Sequence, residues 1–371
     1  MTSTPGPRSV VVLGGGVLGV STAAHLRRAG ADVVLVTEDE LASGASGRSL
    51  SWLNSAGARS DAYHLLRSVG IDRYRTLFAA DPSREWLRFD GGLWWTTPDD
   101  EDAPRERHAT EVAHGYDSRL VTREEPPVPG VEPGDAGHLA VHNPGEGWVS
   151  LPHLVEHLAA ELTAAGGRVV IGAGRCSVLV EDGRARGVRT AAGDVHRADA
   201  VVVACGAGTP AVLAALGVDL PDASPLSALV VTEPVDSDAR VVLNTPRAAL
   251  RPHPGGRFAV DHDWYEQRIV EGPDGCTVDE EVVGELLGEA SALLAGRPAL
   301  RAASWRAGRK PVPADGEPVL GELDEVPGCH VAFTHSGATL GLIAGELLAH
   351  QVLTGTVHPL LEPFQPGRFR R

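Results

Sequence analysis

The chain has 371 residues, 43% of them hydrophobic, and a formal net charge of −16. That length and apolar content support a sizeable core divided into two or so domains. The acidic balance argues against nucleic acid or an anionic membrane as a partner, and no apolar run approaches the ~20 residues that span a bilayer.

The first nine residues are polar and rich in proline and glycine, and an apolar run ending in glycines follows. That order predicts a first strand, not a signal peptide. Ser9–Leu13 is apolar and β-branched, as a buried parallel strand is. It leads into Gly14-Gly15-Gly16-Val17-Leu18-Gly19, which fits G-x-G-x-x-G at Gly14, Gly16 and Gly19. A helical pattern comes next, with Val20, Ala23, Ala24 and Leu26 on one side. Gly30 stops it, and Val33–Val36 supplies a second strand. Set inside a βαβ unit, the glycine motif predicts a bound dinucleotide. Gly14 makes the tight turn, Gly16 lets the backbone approach a pyrophosphate, and Gly19 allows close helix–strand packing. The phosphates then face the positive end of the helix and its free N–H groups, those of Val17 and Leu18 among them.

An acidic residue ordinarily ends the second strand and bonds the adenosine ribose. Spacing from Gly19 puts Thr37 there, with Glu38 next. Either Thr37 takes the role or the strand end shifts to present Glu38.

Glu40–Ser49 is small, polar and flexible enough to lie along a long cofactor, with Ser43, Arg48 and Ser49 as contacts. Downstream, Ser150–Val155 begins an amphipathic helix that runs to Ala165, and Arg168–Ile171 is a strand. Val178–Val180, Gly187–Thr190 and the turn Ala192-Gly193-Asp194 read as a small β-meander. Asp199–Gly208 reads as a strand followed by a glycine turn at Gly206. Gly308–Gly321 contains R-K-P-V-P-A-D-G-E-P-V-L-G, His330–Phe333 is a strand, and a helix is expected from Leu342 to about Leu353. Asp99–Asp102 and Arg105–Arg107 read as a solvated loop, and Pro126–Pro133 as a surface connection.

These segments, in this order, resemble the FAD-dependent D-amino-acid oxidase family in its broad sense, which includes glycine oxidases, sarcosine oxidases and D-amino-acid dehydrogenases. The resemblance implies an α/β fold: a Rossmann-type, glutathione-reductase-like FAD-binding domain with an interleaved antiparallel-sheet α+β substrate domain. The FAD-binding domain would comprise 1–55, 145–215 and 300–371, and the substrate domain 56–144 and 216–299. Val178 would lie near the adenine and Gly206 near the FAD. Gly337, Ala338, Thr339 and Leu340 would open a helix toward the flavin's pyrimidine edge, where N–H groups and dipole favour the anionic reduced form. An ordinary strand–turn–helix packing motif is the competing reading.

On the substrate side, the family's carboxylate-binding arginine column carries Lys310, with Arg309 beside it. Lys310 is the only lysine among 33 basic residues. Arginine cannot replace a compact ammonium whose pKa is tunable, so Lys310 is a candidate catalytic residue, a chance survivor of a drift toward arginine being the competing reading. It would hold a carboxylate or place positive charge near the flavin for electron transfer to oxygen. Leu250–His262 looks like the family's hairpin over the flavin face. Arg251 is a candidate partner for a substrate carboxylate. Asp261 and His262 would face the ring or form a solvated turn pair. Trp52 and Asn54 follow the FAD loop closely, and of Trp94 and Trp95 one would face the core and one the substrate cavity.

Sarcosine oxidases attach flavin to a cysteine near the Lys310 motif, but Cys176, Cys205, Cys276 and Cys329 all fall elsewhere, which implies non-covalent FAD. The cysteines form no C-x-x-C and the 15 histidines no ligand spacing, so no metal is expected. The expected activity is oxidation of a C–N bond of a small amine or amino acid in a soluble cytoplasmic enzyme. Hydride would pass to flavin N5, giving an imine, with O2 as acceptor. A dehydrogenase using a quinone or carrier, oxidative tailoring of a biosynthetic intermediate and a non-catalytic nucleotide-binding subunit are the alternatives.

Overall fold

The computed structural model describes residues 9–122, 128–132, 137–273 and 275–370. Residues 1–8, and residues 126, 127 and 133 of the proline-rich connection expected at 126–133, lie outside them. The chain divides into two units. One contains residues up to Gly47, Leu151–Pro225 and Arg309 onward; the other contains Arg48–Ser150 and Leu226–Gly308.

In the first unit a six-stranded sheet runs in the order Val319–Glu322, Cys329–Phe333, Ala200–Val203, Ser9–Leu13, Asp32–Val36, Arg168–Val170. All neighbours are parallel except the edge pair of Val319–Glu322 with Cys329–Phe333. Val10, Val11 and Val12 are at most 1% exposed, which is why the strand reads as a continuous apolar run. Each such side chain contributes roughly 1.5–3 kcal/mol on burial. Ser9–Leu13 sits between strands that leave it in opposite directions along the sheet, so its carboxyl end opens on a topological switch point.

The first helix, Val17–Arg28, packs against the last, Gly337–Thr354. A Cβ on Gly345 would collide with Ser21, so glycine is what lets these helices approach. The last helix begins five residues before the expected Leu342 and is mostly buried. A three-stranded meander, Ser177–Glu181, Arg184–Arg189 and Val195–Arg197, completes the unit's sheets.

The second unit carries a ten-stranded sheet, largely antiparallel, in which Val242–Asn244 pairs in parallel with Gly92–Trp95. Helix Glu280–Ala292 lays Val282, Val283, Leu286, Leu287 and Ala290 into the core beside this sheet. A small sheet joins Trp52–Leu53, Gly147–Val149 and Leu87–Arg88. That pairing accounts for the position of the first division, at Gly47, where the sequence placed it after residue 55. Trp95 is buried and Trp94 only partly so, as strand alternation requires.

One expectation is overturned. The charged segment expected as a solvated loop contains helix Asp102–Ala113. Its Arg107 stacks 4.4 Å from the Trp94 ring centroid and bonds Glu111, a carboxylate 1% exposed.

Candidate cofactor cradle and a buried polar cluster

The first unit's cradle is built by close backbone approach. Gly14 has φ +121°, a left-handed conformation that glycine alone adopts readily, and its N–H donates to Val36 O at 2.8 Å. Added Cβ atoms at Gly14 and Gly19 would strike the Ala204 and Gly14 carbonyl oxygens respectively. Gly16 differs: the nearest atom to its Cβ position is Ser46 Oγ at 3.2 Å. It is the N-cap of the first helix, makes no side-chain cap bond, and no acidic residue occupies the first turn. The arrangement leaves a positive helix end beside a surface without a Cβ, which fits a pyrophosphate.

Ser46 was not singled out from the sequence. Its Oγ accepts from Val17 N at 3.0 Å and so closes the loop over the helix end. A serine three residues after Ser43 in a polar loop carried no local signal for this. Ser43 itself is exposed, with its N–H to Glu40 O at 3.3 Å.

At the second strand's end, Thr37 is 4% exposed and Glu38 is exposed, 3.7 Å from Arg175. A Cβ on Gly15 would fall 2.6 Å from Thr37 Oγ1, so this hydroxyl lies against the glycine turn. Val178 is buried in the meander, and Gly206 turns with φ +55° after Ala200–Val203. At the last helix, Ser336 is an N-cap without a side-chain cap bond, and Gly337, Ala338, Thr339 and Leu340 form the first turn. That turn also lacks acidic residues. Lys310 lies just past strand Ala302–Arg309, half-buried, with its N–H donating to Pro225 O at 2.8 Å. Arg309 donates to Ser224 O.

The remaining predicted residues belong to the second unit. Arg48 packs over Gly308, where a Cβ would meet its guanidinium at 2.5 Å. Ser49 Oγ accepts from Ser51 N at 3.1 Å. Arg251 is 1% exposed and its guanidinium is 4.9 Å from the Trp148 ring centroid. It donates to the Leu50 carbonyl, to Pro252 O at 2.8 Å and to His253 Nδ1 at 3.2 Å. Burial pushes its pKa down to about 9, with Asp261 opposing. His262 is also engaged at both ring nitrogens, Nε2 with Thr245 O at 3.0 Å and Nδ1 with Asp263 at 2.8 Å.

A cluster that the sequence did not suggest centres on Glu146, which is fully buried. Tyr116 donates its hydroxyl to Glu146 at 2.8 Å, and Asn143 Nδ2 donates at 3.3 Å. Ser55 N donates to the Tyr116 hydroxyl at 3.0 Å, and Ser55 Oγ lies 3.0 Å from His64 Nδ1. Burial pushes the Glu146 carboxyl up to about 8, outweighing the Tyr116 bond and the Arg107 charge. At neutral pH it is predominantly protonated. Among the described residues no group of acidic, histidine and cysteine side chains is arranged to hold a metal ion. All four cysteines are free thiols.

Comparison with known proteins gives a consistent picture. The model of the family described as FAD dependent oxidoreductase matches residues 9–351. An oxidoreductase of Bacillus subtilis, YurR, is 26% identical, with 97% of this chain and 99% of that protein aligned. A glycine oxidase of Pseudomonas putida is 28% identical over 96% of this chain and 97% of its own length. The solved structure of an L-amino acid deaminase from Proteus myxofaciens superposes with a TM-score of 0.84 at 18% identity, covering 100% of this chain and 95% of that one.

Proposed function

We propose, from the premise that this chain belongs to the FAD dependent oxidoreductase family, that it oxidises a C–N bond of a small amine or amino acid. The single observation that carries the cofactor half of the reading is a glycine, Gly16, at the N-cap of a helix whose first turn has no acidic residue, with only Ser46 Oγ near its Cβ position. The substrate half is supported by the likeness to a glycine oxidase over nearly the whole of both chains. When bound, FAD takes up the two electrons released as the carbon–nitrogen single bond becomes an imine.

The cradle holds the pyrophosphate through the first-helix amides, with Gly14, Gly16, Val17, Leu18 and Gly19 at the contact. Ser43, Arg48, Ser49, Val178, Gly206 and the turn Gly337–Leu340 are the further proposed contacts. Thr37 is favoured over Glu38 for the ribose, because its hydroxyl already lies against the glycine turn while Glu38 points to solvent beside Arg175. FAD is held without a covalent bond, a reading supported by the absence of cysteine from Gly308–Gly321.

Lys310 is the proposed cation for the reacting centre. Arg251, with its guanidinium already bonded to Leu50 and Pro252 carbonyls, holds the backbone at Leu50 in position. His262 is engaged with Thr245 and Asp263, an arrangement that supports a role in fixing the hairpin end. Oxygen is the proposed acceptor, and the imine hydrolyses to a carbonyl compound and an amine or ammonia. Product analysis tests this: one carbonyl and one amine released per two electrons support it. Turnover of alcohols or thioethers with no amine accepted refutes it.

A further inference from the structure

The second unit holds a partly buried cation that no described residue of the unit neutralises. Arg59 lies immediately before Ser60, the N-cap of helix Asp61–Ala80. Its Nε is buried without a hydrogen-bond partner. Among the described residues no carboxylate pairs with it. Its guanidinium sits 5.5 Å from the ring centroid of Tyr63, and the guanidinium of Arg67 sits 5.5 Å from the same centroid. Tyr63 is 4% exposed and makes a fixed plate for both.

The neighbouring arginines are held in place by other groups. Arg67 is bound to Asn54, its Nε donating to the carbonyl at 2.9 Å and an Nη to the side-chain oxygen at 3.0 Å. Arg107 is bound to Glu111. Both are cations themselves, so they add like charge beside Arg59. Burial first, then the Arg67 and Arg107 charges, press the Arg59 pKa down to about 10, which still leaves it a cation. Glu146, predominantly protonated at neutral pH, brings little negative charge to the cluster.

A desolvated cation flanked by like charge is costly unless an anion completes it. Arg59 is only half-buried as a residue, so a ligand from solvent can reach it. A planar guanidinium fixed against an aromatic plate presents a fork that matches a planar anion. The chain's charge of −16 and the exposed Asp61 in the adjoining helical turn disfavour a dianion over a monoanion.

The geometry points to Arg59, set on Tyr63 beside Arg67, as a binding site for the carboxylate of a small monoanionic ligand. The site is complete within the second unit and does not depend on C–N oxidation being the reaction. The carboxylate belongs either to the oxidised substrate or to a separate effector.

The test is calorimetric titration of the flavin-loaded protein with isobutyrate, and with neutral isobutyramide as control. Wild type binds the carboxylate more tightly than the amide. Arg59→Met weakens isobutyrate by about tenfold or more, the loss of one charge-assisted contact, and leaves the amide unchanged. Arg59→Lys falls between them and carries the test if Arg59→Met does not fold. Equal isobutyrate affinity in wild type and either folded variant, or no preference for carboxylate over amide, overturns the proposal. Competition with a reducing amine identifies the site as the substrate's; undiminished flavin reduction with isobutyrate bound identifies a separate effector. If no amine reduces the flavin at all, the C–N reading fails while the titration still decides Arg59.

Discussion

Tyr116 donates its hydroxyl proton to Glu146 at 2.8 Å, across thirty residues of chain and deep inside the second unit. The carboxyl it meets is held protonated by burial. The pair therefore ties the stability of the second unit to pH.

The direction follows from which state binds the proton more tightly. Burial raises the Glu146 pKa from 4.5 in the unfolded chain to about 8 in the fold. Its contribution is therefore fully present below about pH 4.5 and is lost as pH rises through about 8. Glu146→Gln removes this dependence. The unfolding free energies of variant and wild type, measured between pH 5 and 9, should diverge with rising pH in the variant's favour. Parallel curves would show that the carboxyl is ionised throughout.

Gly16→Ala and Gly19→Ala separate cofactor binding from packing. A methyl at Gly19 meets the Gly14 carbonyl and should cost about 1–3 kcal/mol in the folded chain even without FAD. A methyl at Gly16 meets only Ser46 Oγ, at 3.2 Å. Gly16→Ala should leave the apo stability within roughly 0.5 kcal/mol, the usual range away from packed features, yet weaken FAD uptake at least as much as Gly19→Ala. Denaturant melts of the apo forms and flavin titration check both halves.

Much of the cradle was legible because its causes are local. Gly14 turns with φ +121° and Gly19 packs on the Gly14 carbonyl five residues away, although the approach of Gly14 to Ala204 is long-range, and Val10–Leu13 declares its burial by composition. Helix Asp102–Ala113 was not legible. Its sequence is charged on most faces, and only Pro104 and Glu111 are buried. The stacking of Arg107 on Trp94 and the bonds from Glu111 to Gly57 and Ser118 link it to residues distant in sequence or carried on other elements. Glu146 was hidden for the same reason: Gly145-Glu146-Gly147 reads as an ordinary turn, and Tyr116, Asn143 and Trp52 together make it a buried acid. The last helix starts at Gly337 because its glycines and alanine pack as helix, although their propensity reads as loop.

Arg107→Ala should expose the cost of that long-range pairing. It strands Glu111, 1% exposed, with its remaining bonds to Gly57 N and Ser118 Oγ. A loss of about 3 kcal/mol is expected from an uncompensated buried charge. Glu111→Gln, which keeps shape and removes charge, should cost less. Chemical denaturation of both variants decides, and equal losses would show that packing rather than charge holds the helix.

Lys310→Met should keep its FAD and lose most of the rate of flavin reduction or of reoxidation, since the change removes charge while preserving length. Stopped-flow measurement of the two half-reactions separates the roles. Wild-type rates in both would take Lys310 out of the reaction.

The most direct measurement is anaerobic. Purified protein should be yellow from bound flavin, and glycine derivatives, D- and L-amino acids and secondary amines are added in turn without oxygen. Bleaching of the flavin absorbance by at least one amine is the predicted result. A colourless protein that takes up no FAD, or a flavin that no amine reduces, would contradict it.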